Sequence, residues 1–422
     1  THDAARIGRT LNHYERSRAR VAMLYPHTAH LWLSMGKRFS ADYLEMTGTS
    51  TQYLPLTYAV QTEYDMLRRM FGHVDVLFDE QIARGELRNY DVFVLAYARQ
   101  MEERTLRELG RFVQNGGALL VTTDSGQLNE KGAATGALYG LFPVAVGQER
   151  PVPADYSGTR MNKPEMFSLG HALAAGDKAE VLFTFADGKP ACVRGAVGRG
   201  EAVVLGMPLA ALRAKANEAK LRLVSYVLNK RAQLISRPDD GEFSAITFRP
   251  RRGEGRVFMV FNGRKEAAST RVEASGDEEE ARHVLADIVT GEKIPFQVKD
   301  GKLDFSVACT ARWGRALALM SKAPARVEVS AAGAMEAGRK FMILVRLLGA
   351  DEQPLRSTLP FELRLKDPDG NVRDDLSGPR VAEQGVYVFA MDWPVGAKKG
   401  TWTASVSEKI SGASDSVTWE AK

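Results

Sequence analysis

From Arg20 to about Arg231, short apolar runs alternate with stretches in which apolar residues recur every three or four positions. That is the pattern of strands alternating with amphipathic helices, and it predicts a parallel sheet covered by helices. "RVAMLYP" (20–26) reads as a first strand. "TYAVQTEYDMLRRMFG" sets Val60, Tyr64, Leu67 and Phe71 on one helical face and stops at Gly72, a residue suited to a left-handed cap. "VDVLF" (74–78) and "YDVFVLAY" (90–97) follow as strands. "MEERTLRELGRFVQNGG" is a helix burying Leu106, Leu109 and Val113 and ended by Gly116, and "ALLVTT" is the next strand. Short connections of this kind predict a doubly wound, flavodoxin-like α/β three-layer sandwich.

The pattern weakens through residues 141–180, then resumes with "AEVLFTF", a strand pair around "GRGE" (198–201) and a closing helix, "ANEAKLRLVSYVLNKR". "GRGE" lies between two strands and lacks the spacing of a dinucleotide loop, so it is expected to be a hairpin turn. Beyond residue 235 the helical period disappears. "FSAITFRP", "GRVFMVFNG", "STRVEAS" and "KLDFSVACTARWGRALALM" are strands broken by Gly, Asp or Asn turns, the mark of a β-sandwich. After the linker "SKAPA" (321–325) the same style returns in "RKFMILVRLLG", "FELRLKDPDGN", "GVYVFAMDW" and "GTWTASVSE", as in an immunoglobulin-type sandwich. In "DPDG" Pro368 presets φ and Gly370 supplies a positive φ, which defines a hairpin turn. The expected order is therefore a leading linker (1–19), an α/β domain (20–234), a β-sandwich (235–322) and an immunoglobulin-like β-sandwich (323–422).

The length of 422 residues fits this division at about 150 residues per domain. The net charge of +5 is interspersed, and "RPRRGEGR" (249–256) has no aromatic interleaving, so no nucleic-acid partner is expected. No apolar run reaches the ~18 residues of a membrane span. The chain starts at Thr1 with no charged-then-apolar leader, which is expected of a trimmed chain, a processed chain or a fragment, from which any export signal would already be gone. Cys192 and Cys309 fall in different expected domains and are expected to be buried free thiols.

Candidate chemistry is sparse. The turn after "ALLVTT" brings Asp124 and Ser125 to the carboxyl end of a strand, where many α/β enzymes mount a nucleophile. Asp124 has small residues two positions away, Thr122 and Gly126, but a carboxylate is a poor acyl nucleophile; Ser125 has the chemistry but is flanked by Thr123 and Gln127. The alternative is that both oxygens cap the turn. His171 is a conceivable general base for Ser125. His27 and His30, with Trp32 close by, lie beyond the first strand where doubly wound folds bind ligands, but two histidines without a third ligand make no metal site. No metal and no cofactor are expected. Trp313, Trp393, Trp402 and Trp419 are either sandwich core or sugar-stacking platforms.

Taken together, "ARIGRTLNHYERSRARVAMLYP", "YDVFVLAYARQMEERTLRELGRFVQNGGALLVTTDSG" and "GRGEAVVLG" resemble the glutamine-amidotransferase-like trimerisation domain of glycoside hydrolase family 42 β-galactosidases. In class I amidotransferases the turn after the "ALLVTT" strand carries a G-x-C-x-G cysteine; here Thr122, Thr123, Asp124, Ser125 and Gly126 stand there, without that nucleophile. Residues 283–320 are similar to the small β-sandwich that ends such glycosidases, and the last domain to immunoglobulin-like modules of exported bacterial proteins. The resemblance implies a non-catalytic oligomerisation module, a trimer or the partner of a carbohydrate-active catalytic domain, in a periplasmic or extracellular setting. The alternatives are a hydrolase using Ser125 or Asp124 with His171, and a carbohydrate-binding module using exposed tryptophans.

Overall fold

The protein is described from a computed structural model covering residues 2–29, 31, 54–122, 125–151, 169–213, 218–229, 236–239, 241–333, 336 and 338–421. The architecture is mostly strand with few helices. It divides into two compact units, one comprising residues 18–235 and the other joining residues 1–17 to residues 236–422. The leading segment expected to be a linker contains a helix, α1 (His2–Leu11), and a strand, β1 (Tyr14–Arg16).

In the α/β unit the chain runs β2 (Val21–Leu24), α2 (Leu54–Phe71), β3 (Val74–Leu77), β4 (Val92–Leu95), α3 (Glu103–Gln114) and β5 (Ala118–Val121). There follow a hairpin of β6 (Val144–Pro151) and β7 (Leu169–Ala175), then β8 (Ala179–Thr184), β9 (Pro190–Val197), β10 (Gly200–Leu205) and α4 (Glu218–Asn229). Seven strands form one sheet in the order β8-β9-β10-β5-β4-β2-β3. From β10 to β3 its pairings are parallel, and β8 and β9 join antiparallel. Every residue of β2, β4, β5 and β10 is buried, as expected when a sheet is covered on both faces.

One buried cluster joins Val60, Leu67 and Phe71 of α2 and Val224 of α4 to Met23, Val94 and Leu120 of the sheet. A second joins Leu106, Leu109 and Val113 of α3 to Leu24, Phe93 and Leu119. Alternate residues of each strand thus serve opposite clusters, the consequence of a side-chain period of two. The helical faces read from the sequence are the buried ones, and Gly72 caps α2 at φ +74°. "GRGE" is the turn between β9 and β10, which pair from Val197 against Gly200. A Cβ at Gly200 would lie 2.2 Å from the carbonyl oxygens of Val113 and Gly117, so only glycine lets β10 pass the end of α3.

In the β unit, β1, β11 (Phe243–Pro250), β12 (Arg256–Asn262), β16 (Gly314–Met320) and β14 (Val284–Asp287) form one sheet, with β14 at its edge. Facing strands include β13 (Ala268–Ser275) and β15 (Lys302–Cys309). Past residue 325, β17 (Arg326–Gly333), β18 (Lys340–Leu348) and β21 (Val386–Asp392) form a three-stranded sheet. It packs with a four-stranded one in the order β20 (Gly378–Ala382), β19 (Leu359–Lys366), β22 (Gly400–Ser407), β23 (Ser414–Ala421). One cluster runs across both regions, from Val257, Met259 and Ala318 to Val345, Phe361 and Trp402. Arg6 on α1 joins them too: its Nε donates to the Ile288 carbonyl at 2.7 Å and Nη2 to the Pro360 carbonyl at 3.1 Å. The Tyr14 hydroxyl donates to the Thr358 carbonyl at 2.8 Å.

The tryptophans divide. Trp393, Trp402 and Trp419 are buried around Phe341, whereas Trp313 is 51% exposed. A platform of several exposed tryptophans, the basis for a carbohydrate-binding module, is therefore not formed by these four.

Candidate functional site

The carboxyl ends of the parallel strands are where a doubly wound sheet opens to ligands. Asp124, His30 and Trp32 lie outside the described residues. Ser125 is described and fully buried. Its Oγ accepts the Ala98 N–H at 3.3 Å, its carbonyl accepts the Tyr139 hydroxyl at 2.9 Å, and the next amide, of Gly126, donates to the Ala98 carbonyl at 2.8 Å. The turn is thereby sewn to the segment that follows β4. Gly126 sits at φ +66°, and a Cβ there would come within 2.3 Å of Leu138 Cδ2, so the turn is packed as well as hydrogen-bonded. The hydroxyl is thus an acceptor enclosed within the turn.

His171 lies on β7, within the stretch where the sequence pattern was weakest. Its Nε2 stands 3.1 Å from the side-chain amide nitrogen of Gln127. The two line a cleft of about 830 Å³ between the β6–β7 hairpin and the turn at Tyr139–Leu141, floored by Tyr139, Phe142 and Pro143. A concave space with an imidazole does form near the end of β5, but Ser125 is not among the residues lining it. Ser125 and His171 are engaged with different partners. In the segment after this turn, Leu138 and Phe142 are buried, and Tyr139 and Leu141 pack against the same cluster.

His27 stacks edge-on to Phe78, their rings 6.3 Å apart, and Phe78 also meets Tyr25 at 5.4 Å. Val76 on β3, the outer strand of the sheet among the described residues, and Phe78 just after it are exposed, and Leu31 is 48% exposed. Among the described residues no cluster of three His, Cys, Asp or Glu side chains could hold a metal.

Two buried carboxyls went unnoticed in the sequence. Glu63 on α2 accepts the backbone N–H groups of Leu209 at 3.0 Å and Ala210 at 2.9 Å, and burial pushes its pKa up to about 7 against the pull of those two donors. Asp79, just after β3, accepts the hydroxyls of Thr105 at 2.9 Å and Thr28 at 3.2 Å, and burial raises its pKa too. Glu63 was findable: it lies three residues after Val60 and four before Leu67, on the apolar face of its helix.

This is a largely parallel-sheet domain in which Ser125 is held by backbone hydrogen bonds and the buried Glu63 and Asp79 are hydrogen-bonded to the domain's own segments. The β-galactosidase trimerisation domain family matches residues 19–234, and the chain belongs to that family. No curated protein matches. Among solved structures, a catalytic mutant of Gan42B, a GH42 β-galactosidase from G. stearothermophilus, is similar over 72% of this chain and 40% of its own, at 16% identity and a TM-score of 0.49. The β-galactosidase from Bacillus circulans sp. alkalophilus is similar over 71% and 41%, at 16% identity and a TM-score of 0.49. A polyextremophilic β-galactosidase from the haloarchaeon Halorubrum lacusprofundi is similar over 75% and 42%, at 17% identity and a TM-score of 0.46. The chain spans about two fifths of the length of these proteins.

Proposed function

We propose that this chain is a non-catalytic oligomerisation module: its α/β unit assembles as a closed trimer and serves a carbohydrate-active enzyme of the β-galactosidase type outside the cell membrane. The observation that carries this is the trimerisation-domain match over residues 19–234, combined with a strand-end turn in which Ser125 is consumed by backbone hydrogen bonds. On this reading the domain is a class I amidotransferase-like, flavodoxin-like sandwich without the nucleophile, and a fold kept without its chemistry needs another use. Val76 and Phe78 at β3, the edge strand among the described residues, with Leu31 also exposed, supply apolar area for subunit contact. Sedimentation equilibrium at micromolar concentration tests this. A three-chain mass is expected, with Phe78→Arg reducing it; a monomeric wild type, or a mass indifferent to Phe78→Arg and Val76→Arg, would overturn the trimer or its edge contact respectively.

A further inference from the structure

None of the residues lining the cleft between the β6–β7 hairpin and the Tyr139–Leu141 turn belongs to β3, the strand assigned the subunit contact, so the cleft is open to a separate use. Its volume of about 830 Å³ falls within the ~300–1,000 Å³ of small-molecule sites. The lining is uncharged: no Asp, Glu, Lys or Arg contributes to it. A phosphate, carboxylate or ammonium entering it would leave water without meeting an opposite charge, which is costly.

Neutral hydrogen-bonding groups are gathered there instead. The Gln127 amide nitrogen stands 3.1 Å from His171 Nε2, and a donor at that distance makes Nε2 the acceptor. That leaves Gln127 Oε1 to accept and His171 Nδ1–H to donate. The Thr135 hydroxyl accepts the Ala137 N–H at 3.1 Å and keeps its own proton to donate. A wholly apolar guest would cover these groups without pairing them. The floor, by contrast, is carbon. The Tyr139 hydroxyl is tied to the Ser125 carbonyl at 2.9 Å, which fixes its ring as a surface beside Phe142 and Pro143 before any ligand arrives. A Cβ added at Gly136 or Gly140 would meet nothing within 4 Å, so the backbone there borders open space.

We propose that this cleft binds a neutral saccharide and does not cleave it. A pyranose ring carries no charge. It offers a C–H face to an aromatic and pyrrolidine surface, and a rim of hydroxyls to an amide carbonyl, an imidazole N–H and a hydroxyl. No carboxyl group lines the cleft, and glycoside hydrolysis of the ordinary kind uses a pair of them, so the bound sugar is held unchanged. With few polar contacts and an open mouth, a monosaccharide is expected to bind with Kd on the order of millimolar.

The test is calorimetric titration of the full chain with methyl β-galactoside, lactose and cellobiose, circular dichroism reporting folding and a reducing-sugar assay reporting cleavage. At least one of the three should bind, with no sugar released from the disaccharides. Gln127→Ala and His171→Ala should each weaken binding at least fivefold. Gly136→Leu, which fills the open space and spares both polar side chains, should do the same and serves if His171→Ala fails to fold. Galacturonate should bind at least fivefold more weakly than galactose, since the cleft has no cation to meet it. Phe78→Arg should bind as the wild type does, which separates failure of the trimer from failure of this site. No binding of any of the three up to about 50 mM, affinity indifferent to Gln127→Ala and Gly136→Leu, or cyclohexanol or galacturonate bound better than galactose, would overturn the proposal.

Discussion

The carboxylate of Glu63 accepts the backbone N–H of Ala210 at 2.9 Å from inside the core of the α/β unit, tying α2 to the start of a 3-10 turn 147 residues away. Burial favours the protonated acid and raises the folded pKa from the ordinary 4.5 to about 7. The stability associated with this group is fully present below pH 4.5 and is lost as pH rises through 7, because the unfolded chain ionises first. The loss amounts to about 3 kcal/mol across that window. Urea denaturation should show the α/β unit weakening from pH 5 to pH 8, and Glu63→Gln should flatten that slope; an unchanged slope would assign the dependence elsewhere.

Arg6→Ala should destabilise the β unit by about 2–4 kcal/mol, since it leaves the Ile288 and Pro360 carbonyls without their donor in a buried setting. Denaturation followed through the tryptophan emission of that unit measures it. A change under about 0.5 kcal/mol would mean that α1 does not hold these strands.

Ser125→Ala should cost about 1 kcal/mol through the lost Ala98 hydrogen bond and leave assembly intact. Aryl glycosides, esters and glutamine should show no turnover by this chain. Turnover abolished by Ser125→Ala would restore the hydrolase alternative.

Cys192 and Cys309 are buried free thiols, and burial pushes both pKa values up, away from the reactive thiolate. Both should react with a thiol reagent only as the protein unfolds, at the rate of unfolding. Fast modification of Cys192 in the native protein, or a Cys192–Cys309 link found by mass spectrometry, would contradict this burial.

Periodicity alone placed α2, α3 and their buried faces, because residues such as Leu67 and Leu109 contact the sheet their own helix follows, and that demand repeats every turn. Composition likewise marked the change at residue 235 and the turn at Gly370, which depend on neighbours in the chain. The tertiary structure alone decided the rest. Ser125 accepts a hydrogen bond from Ala98, Leu138 packs on Gly126, and α1 joins the β unit through Arg6 and carbonyls 282 and 354 residues away. Each of these is a contact between segments whose local patterns are independent, so no window of sequence carries it.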